Sequence, residues 1–438
     1  MWHQTSFARC AGSTGTLGLL LLAVGLLAGC PGPHLMPTPN VYAQTQSHPF
    51  ADVAPPLRTN TVDVLYATDR KPVPRDDGPL AYGYGRSFAL AVGSCVVEIG
   101  QDVAWDTLVQ QNQQAERSQP LPLRIRAMTE QGRFPATPLP FVLHNGLPTV
   151  APAIQEAYEH AAEQARQDLR QRLALMSHKV AYVYVHGYNN TFEDGVLVIA
   201  ELWHFLGRQG VPILYTWPAG AGSGLRGYNH DRESGEFTIF HLKQFLRLLA
   251  SMLDLEELNL IAHSRGTDVL TSALRELYIE TQASGKDFRT VFRLKNVVLA
   301  AADLDLEVVT QRVAAEYVGL GTERSTLYVS NVDKAIGFSA FLFTSLSRIG
   351  QLRPEDLTDE ERQHLERVAR TQLIDARVPT GLIGHAYFYR HPAVSSDLVL
   401  LLRYQLEPGS PGRPLHKRGA NFWQITSDYP GVSGTPGR

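Results

Sequence analysis

The sequence predicts an α/β protein: a mostly parallel central sheet with helices on both faces, preceded by a β-rich extension. Three observations carry that prediction. From Ala153 onward, short apolar runs alternate with stretches of helical periodicity, the order in which each strand is followed by a helix that crosses back over the sheet. Several of those runs, such as Val180–Val185 and Leu258–Ala262, are largely apolar throughout rather than alternating, as strands buried on both faces must be. One of them leads without a break into Ala262-His263-Ser264-Arg265-Gly266, followed by helix-compatible Thr267 to Tyr278.

Taken in order, residues 1–29 read as a signal segment. Arg9 is the only charge ahead of a leucine-rich stretch, Leu17 to Ala28, too short to span a bilayer comfortably. The stretch ends in Leu27-Ala28-Gly29-Cys30. Small residues directly before a cysteine resemble a bacterial lipobox, so Cys30 is the expected lipidation site, against an ordinary secretory signal that happens to end in cysteine. The expected location is the bacterial cell envelope, anchored by lipid to a membrane and facing outside the cytoplasm. Residues 30–56 hold seven prolines and little apolar content and read as an extended tether. Residues 57–150 form the β-rich region, opening with the alternating strand Thr61–Thr68. Cys95 sits in an apolar stretch and is expected to be a small buried hydrophobe.

Residues 151–407 are the expected catalytic core. Ala153 to Met176 has helical spacing. Strand Val180–Val185, helix Thr191–Arg208, strand Val211–Thr216, helix Glu233–Leu253 and strand Leu258–Ala262 follow. After the Ser264 turn come strand Leu294–Ala300, helix Leu306–Glu316, strand Thr326–Val329 and a last helix, Val394–Tyr404. Pro354 to Thr371 reads as an inserted polar helix, with Thr358 and Glu361 at capping-box spacing, and is placed to act as a lid. Residues 408–438 are rich in Gly, Pro and Ser and are expected to be a flexible tail. The chain carries 19% charged residues and a net charge of −3, which argues against a charge-driven nucleic-acid partner.

The chemistry centres on Ser264. Small-x-Ser-x-Gly between strand and helix is the layout of a nucleophile elbow, in which strand and helix approach so closely that the flanking positions must be small. Ala262 fills the first of them. The loop His186-Gly187-Tyr188-Asn189-Asn190 follows a strand, and its glycine allows an amide to point at a reacting oxygen. Tyr188 and Arg265 are the expected oxyanion donors. His186 is expected to order that loop rather than to move protons. Asp333, after strand Thr326–Val329, is the expected acid. Asp303 and Asp305 are its rivals, and Asp305 is also placed to cap the next helix. His385, in a glycine-flanked loop, is the expected general base. The glycine-rich run after Trp217-Pro218 lacks the endings of phosphate-binding loops. No His, Cys and carboxylate set has metal-ligand spacing, so no metal and no cofactor is expected.

The pieces Tyr66-Ala67-Thr68-Asp69-Arg70, His186-Gly187-Tyr188-Asn189-Asn190, Trp217-Pro218, Ala262-His263-Ser264-Arg265-Gly266, Asp333-Lys334-Ala335 and Gly384-His385-Ala386-Tyr387-Phe388 resemble a bacterial, esterase- or lipase-like branch of the α/β-hydrolase superfamily with no settled function. The resemblance covers roughly Thr61 to Arg403. It implies the α/β-hydrolase fold and a Ser264–Asp333–His385 triad. The family's usual residue after the nucleophile is methionine. Arg265 departs from this, which keeps the N–H donor but changes what lines the site.

The expectation is thus a serine hydrolase acting on an ester, thioester or amide of a small-molecule or lipid acyl substrate, at a membrane surface reached through lipidated Cys30. Two alternatives stay open: a non-catalytic envelope lipoprotein that uses the scaffold to bind lipid or protein, and transfer of the acyl group to an acceptor other than water. Phe338, Phe341, Leu342 and Phe343 fit an acyl pocket and a core equally well.

Overall fold

The computed structural model describes residues 32–44, 48–73, 80–330, 349–352, 370–376, 378 and 385–431. Among them one eleven-stranded sheet runs in the order β12-β13-β11-β10-β9-β8-β6-β7-β1-β2-β3. The strands are β1 (Thr61–Pro72), β2 (Tyr82–Ile99), β3 (Leu123–Arg133), β6 (Val180–Val185), β7 (Val211–Thr216), β8 (Glu257–His263), β9 (Leu294–Ala300), β10 (Arg324–Val329), β11 (Thr371–Asp375), β12 (His416–Lys417) and β13 (Phe422–Gln424). A separate exposed hairpin is made of β4 (Phe141–His144) and β5 (Leu147–Val150). From β1 through to β13 the neighbours are parallel. Antiparallel pairing is confined to the two edges.

Helices cross between these strands. The first two, α1 (Asn40–Ala43) and α2 (Trp105–Gln111), lie in the N-terminal part. Then come α3 (Pro152–Leu173), α4 (Phe192–Phe205), α5 (Gly224–Ala250) and α6 (Gly266–Ala283). All residues of β6 and β7 are buried, which is why these strands carry apolar runs and not alternation. Cys95 is buried in β2, and burial raises its thiol pKa far above the usual range.

The connection order places the site. The chain leaves β6 for β7 on one side, then returns to lay β8 on the other. In open α/β sheets that reversal opens a crevice at the carboxyl ends of the strands, where ligands bind. Val185 pairs with Ala262 and His263 with Ala300, so the loops after β6, β8 and β9 emerge level with one another.

One expectation is extended and three need correction. The 57–150 region is β-rich as expected and joins the main sheet, because β1 pairs in parallel with β7 and carries β2 and β3 with it. The proline-rich stretch 30–56 is not an extended tether over its described residues. Leu35, Met36, Val41 and Tyr42 are buried, and the Tyr42 hydroxyl donates to the Phe205 carbonyl at 2.7 Å. Its prolines forbid long elements, but its few apolar side chains are spaced to reach the core.

The 408–431 part of the expected flexible tail is likewise folded. Fully buried Arg413 forks onto Asp397 with two bonds of 2.8 Å, and β13 extends the sheet beside β11. Lastly, α5 starts at Gly224 and not near Glu233. Three glycines lower the intrinsic helicity of that first half, and burial of Tyr228 and Asp231 overrides them, while Gly227 is itself required because a Cβ there would fall 1.8 Å from the Gly222 oxygen. The expected lid from Pro354, with Thr358 and Glu361, lies outside the described residues up to position 369, as do Cys30, Asp333 and the phenylalanines from 338 to 343.

Candidate active site

Ser264 occupies the turn between β8 and α6 with φ at +52°, a left-handed conformation that costs a non-glycine residue about 1–3 kcal/mol unless its surroundings impose it. Here they do. The Ser264 N–H donates to the Ala300 carbonyl at 2.9 Å, and the Ser264 carbonyl takes the Thr267 N–H at 3.0 Å. Both neighbouring glycines are required by contact. A Cβ at Gly266 would lie 2.3 Å from the His186 oxygen, and one at Gly187 would lie 2.7 Å from the Ser264 Cβ. The small-x-Ser-x-Gly pattern therefore reports a real closeness of strand, helix and neighbouring loop. Ser264 is 6% exposed.

The loop after β6 lies against this turn. Its residues run straight into α4, whose start is fixed by reciprocal capping between Thr191 and Asp194. The Gly187 N–H donates to the Asn190 side chain at 3.1 Å, and the Asn189 N–H to Asp231 at 2.8 Å. Among the described residues, no hydrogen bond uses the N–H of Tyr188 or of Arg265. The Tyr188 hydroxyl reaches the Gly222 carbonyl at 3.3 Å, and its ring lies 5.3 Å from that of Tyr228.

His186 is fully buried beneath the loop. Its ring stacks on Trp217 at 5.3 Å, and the Trp217 indole N–H donates to the His186 carbonyl at 2.8 Å. His186 Nδ1 faces the Gly187 carbonyl at 3.0 Å, while Nε2 takes the Trp217 N–H at 3.2 Å. That pattern requires the neutral ring with its proton on Nδ1. Burial, aided by the Arg70 charge, pushes its pKa well below the usual histidine range.

Two residues without an assigned role in the sequence analysis hold this region together. Arg70, at the end of β1, is 1% exposed. Its guanidinium donates to Thr216 Oγ1 at 2.8 Å and to the carbonyls of Ala219 (2.7 Å), Asn190 (2.8 Å) and Gly83 (3.1 Å). It also lies 3.2 Å from His186 Nε2. Asp231, in α5, is fully buried and accepts the N–H groups of Asn189 and Gly220. A charged pair of segments, Thr68-Asp69-Arg70 at a strand end and His230-Asp231 beside glycine-rich sequence, was the available signal. Their convergence needs the fold.

The expected base comes to the same edge by another route. The His385 carbonyl lies 3.1 Å from His263 Nε2, and the two rings are 4.6 Å apart. His263 is the residue before Ser264, so this contact brings the His385 segment beside the elbow. Burial, then the nearby His385, push the His263 pKa well down, so His263 is neutral and donates this bond. Phe388 stacks on His263 at 4.8 Å. The Tyr387 hydroxyl donates to the Tyr328 carbonyl at 2.8 Å and accepts the Ala301 N–H at 3.2 Å. Of the three carboxylates weighed, Asp305 caps the helix beginning at Leu306 by accepting the Val308 N–H, and Asp303 accepts the Tyr228 hydroxyl at 3.0 Å. Asp333 follows β10, whose end lies level with that of β9, but lies itself outside the described residues.

Among the described residues no group of three or more His, Cys, Asp or Glu is arranged to hold a metal ion, and no helix is long and apolar enough to cross a membrane. No curated protein matches the chain. The model of one family does, over residues 161–403, a span that begins within α3 and takes in the His186 loop, the Ser264 elbow and His385. With more than half its length matched, the chain belongs to the family described as alpha/beta hydrolase of unknown function (DUF900).

Proposed function

We propose that this protein is a serine hydrolase that cleaves an ester, thioester or amide through an acyl-enzyme on Ser264, with His385 as general base and Asp333 as its carboxylate partner. The family supports hydrolase activity at the coarse level. The finer reading rests on one observation above all: Ser264 is held at positive φ on a turn packed so tightly that neither Gly187 nor Gly266 has room for a Cβ.

The chemistry follows from the residues. The Ser264 hydroxyl oxygen bonds to the carbonyl carbon while its proton passes to His385. The carbonyl oxygen becomes an oxyanion, received by the N–H groups of Tyr188 and Arg265. Collapse of that intermediate breaks the bond to the leaving group, which takes the proton from His385. Water then repeats the sequence on the acyl-enzyme and restores Ser264. Asp333 would hold the His385 ring in the productive tautomer. Arg265 supplies its N–H from the backbone, while its guanidinium pairs with Asp268 at 2.9 Å and is thereby drawn along α6.

We also propose that the protein works at a membrane surface of the bacterial cell envelope, held by lipid on Cys30, with a small-molecule or lipid acyl substrate. Incorporation of labelled fatty acid into the wild type but not Cys30→Ser tests the anchor.

A fluorophosphonate probe tests the chemistry. Intact protein should be labelled on Ser264, and Ser264→Ala should lose both labelling and ester turnover, the latter by at least about 10³-fold, with an unchanged melting temperature. Folded wild-type protein that neither labels nor hydrolyses short acyl esters would overturn the proposal in favour of a binding scaffold.

A further inference from the structure

Arg70 lies outside the 161–403 span that defines the family match, yet it is 1% exposed and hydrogen-bonds both segments beside the site. It enters from β1, two strands away from β6 in the sheet order. It bridges the two segments that must stay in register if the oxyanion loop is to face Ser264. One is the loop after β6, contacted at His186 Nε2 and the Asn190 carbonyl. The other is the end of β7 and its continuation, contacted at Thr216 Oγ1 and the Ala219 carbonyl. These bonds spring from Nε, Nη1 and Nη2 of one rigid planar fork. Lysine, a point donor on a flexible stem, lacks that geometry.

The same two segments are also held by Asp231, whose Oδ2 accepts both the Asn189 N–H and the Gly220 N–H. The loop is thus tied at two adjacent residues: the Asn190 carbonyl accepts from Arg70, and the Asn189 N–H donates to Asp231. Asn189 itself is at φ +54°, so the residue after Tyr188 is held in a left-handed turn at these ties. Such a turn fixes the two peptide groups that flank Asn189, and the Tyr188 N–H, left without a protein acceptor among the described residues, belongs to the peptide immediately before them.

The arrangement also explains why charge is worth burying here. A buried guanidinium without full pairing is costly, and burial lowers the Arg70 pKa to about 10, with Asp69 and Asp231 opposing that shift. It remains cationic at neutral pH. Hydrogen bonds from a charged donor are shorter and about twice as strong as neutral ones, so a loop tied by them has less freedom to drift.

We infer that Arg70, with Asp231 as its counterpart, is the positioning residue of the oxyanion loop, setting the Tyr188 N–H against the Ser264 elbow. It touches no reacting atom. The inference rests on the serine-hydrolase reading above, and the test separates the two. Wild type, Arg70→Lys and Asp231→Asn are compared on a short acyl p-nitrophenyl ester, and for affinity toward a trifluoromethyl ketone. Ser264 adds to that ketone to give an oxyanion that needs the same donors. Wild-type turnover that disappears in Ser264→Ala establishes the reading; without it, the hydrolase reading fails, not the role of Arg70.

Given that turnover, Arg70→Lys should lower kcat by about 100-fold, the effect of displacing one oxyanion donor. Its KM should stay within about threefold, because ground-state binding is not the term being lost. Ketone affinity should fall by the same factor as kcat/KM. Folded Arg70→Lys with wild-type kcat and ketone affinity would overturn the inference. So would a loss carried by KM alone, since a merely structural role does not follow the transition-state analogue. Should Arg70→Lys not fold, Asp231→Asn reads the same split at about tenfold, and an unchanged kcat in that folded variant overturns the inference equally.

Discussion

The loop that carries Tyr188 is tied down by fully buried charge, whereas on its elbow-facing side the segment that carries His385 is held by neutral groups and ring packing. On the first side Arg70 and Asp231 engage backbone atoms of the loop directly. On the second, the contacts are a neutral His263 ring, a stacked Phe388 and the Tyr387 hydroxyl. The difference matches what each side would have to do. An oxyanion donor must not move, since its value lies in being oriented before charge develops. A general base must serve first the nucleophile and then the leaving group, so its ring benefits from a firm backbone and a softer surround. The comparison therefore predicts that damage to the Tyr188 side costs more activity than equal damage to the His385 side.

The sharpest way to break that comparison is at Gly187. Adding a Cβ there places it 2.7 Å from the Ser264 Cβ and 3.0 Å from the His263 carbonyl. The loop must retreat, and a shift of about 1 Å at a reacting centre costs about 100-fold in rate. Gly187→Ala should therefore lose about 10²- to 10³-fold in kcat/KM on a short ester, while circular dichroism shows a retained fold. A loss below about tenfold would mean that the loop has slack, and that rigidity is not what Arg70 and Asp231 supply.

A smaller effect is expected at Tyr387. Removing its hydroxyl takes away its bonds to the Ala301 N–H and the Tyr328 carbonyl, which still bond each other at 3.1 Å, so the cost in stability is about 0.5–1.5 kcal/mol. Because this hydroxyl fixes the backbone two residues from His385, Tyr387→Phe should also lower kcat by about tenfold, with KM unchanged. Denaturant unfolding and steady-state kinetics measure the two parts separately. A kinetic loss as large as that of Gly187→Ala would erase the contrast between the two sides.

The comparison also shows what the sequence can and cannot disclose. The parallel core was legible because strands buried on both faces must be apolar, and Val180–Val185 and Val211–Thr216 are observed at the expected bounds. The elbow was legible because steric closeness leaves a local signature, glycine at 266. Arg70, Asp231 and Asp397 were not, since a buried charge looks like a surface charge until its partners arrive from distant elements. Arg70 meets Asn190, and Asp397 meets Arg413 and Tyr429. The described parts of 30–56 and 408–431 differ from expectation for a related reason. Proline and glycine exclude regular elements, but a few well-spaced side chains, such as Tyr42 and Tyr429, suffice to dock an irregular chain.

The smallest effect concerns the far side of the His385 segment, where a titratable tie replaces the permanent charge of Arg70. Arg390, on the short helix Tyr387–Arg390, approaches the Glu201 carboxylate at 3.7 Å and donates to the His34 carbonyl at 3.2 Å. Glu201 also accepts the Met36 N–H. Glu201 is buried in α4, and that burial raises its pKa from 4.5 to about 7, against the lowering pull of Arg390, the Met36 N–H and Arg117. The sign follows from linkage. Between about pH 4.5 and about pH 7 the folded protein holds a proton on Glu201 that the unfolded chain has lost, so stability falls as pH rises through that window and is level in this respect outside it. The whole fall is at most about 3 kcal/mol. Glu201→Gln keeps an acceptor for the Met36 N–H and has no proton to lose. Its melting temperature should therefore decline less than that of the wild type between pH 5 and pH 7 by about a few degrees. The buried histidines His186, His204 and His263 contribute equally to both proteins and cancel in the difference. Parallel curves for the two proteins would show that Glu201 stays charged throughout, and that the His385 side, too, is anchored by a permanent ion pair.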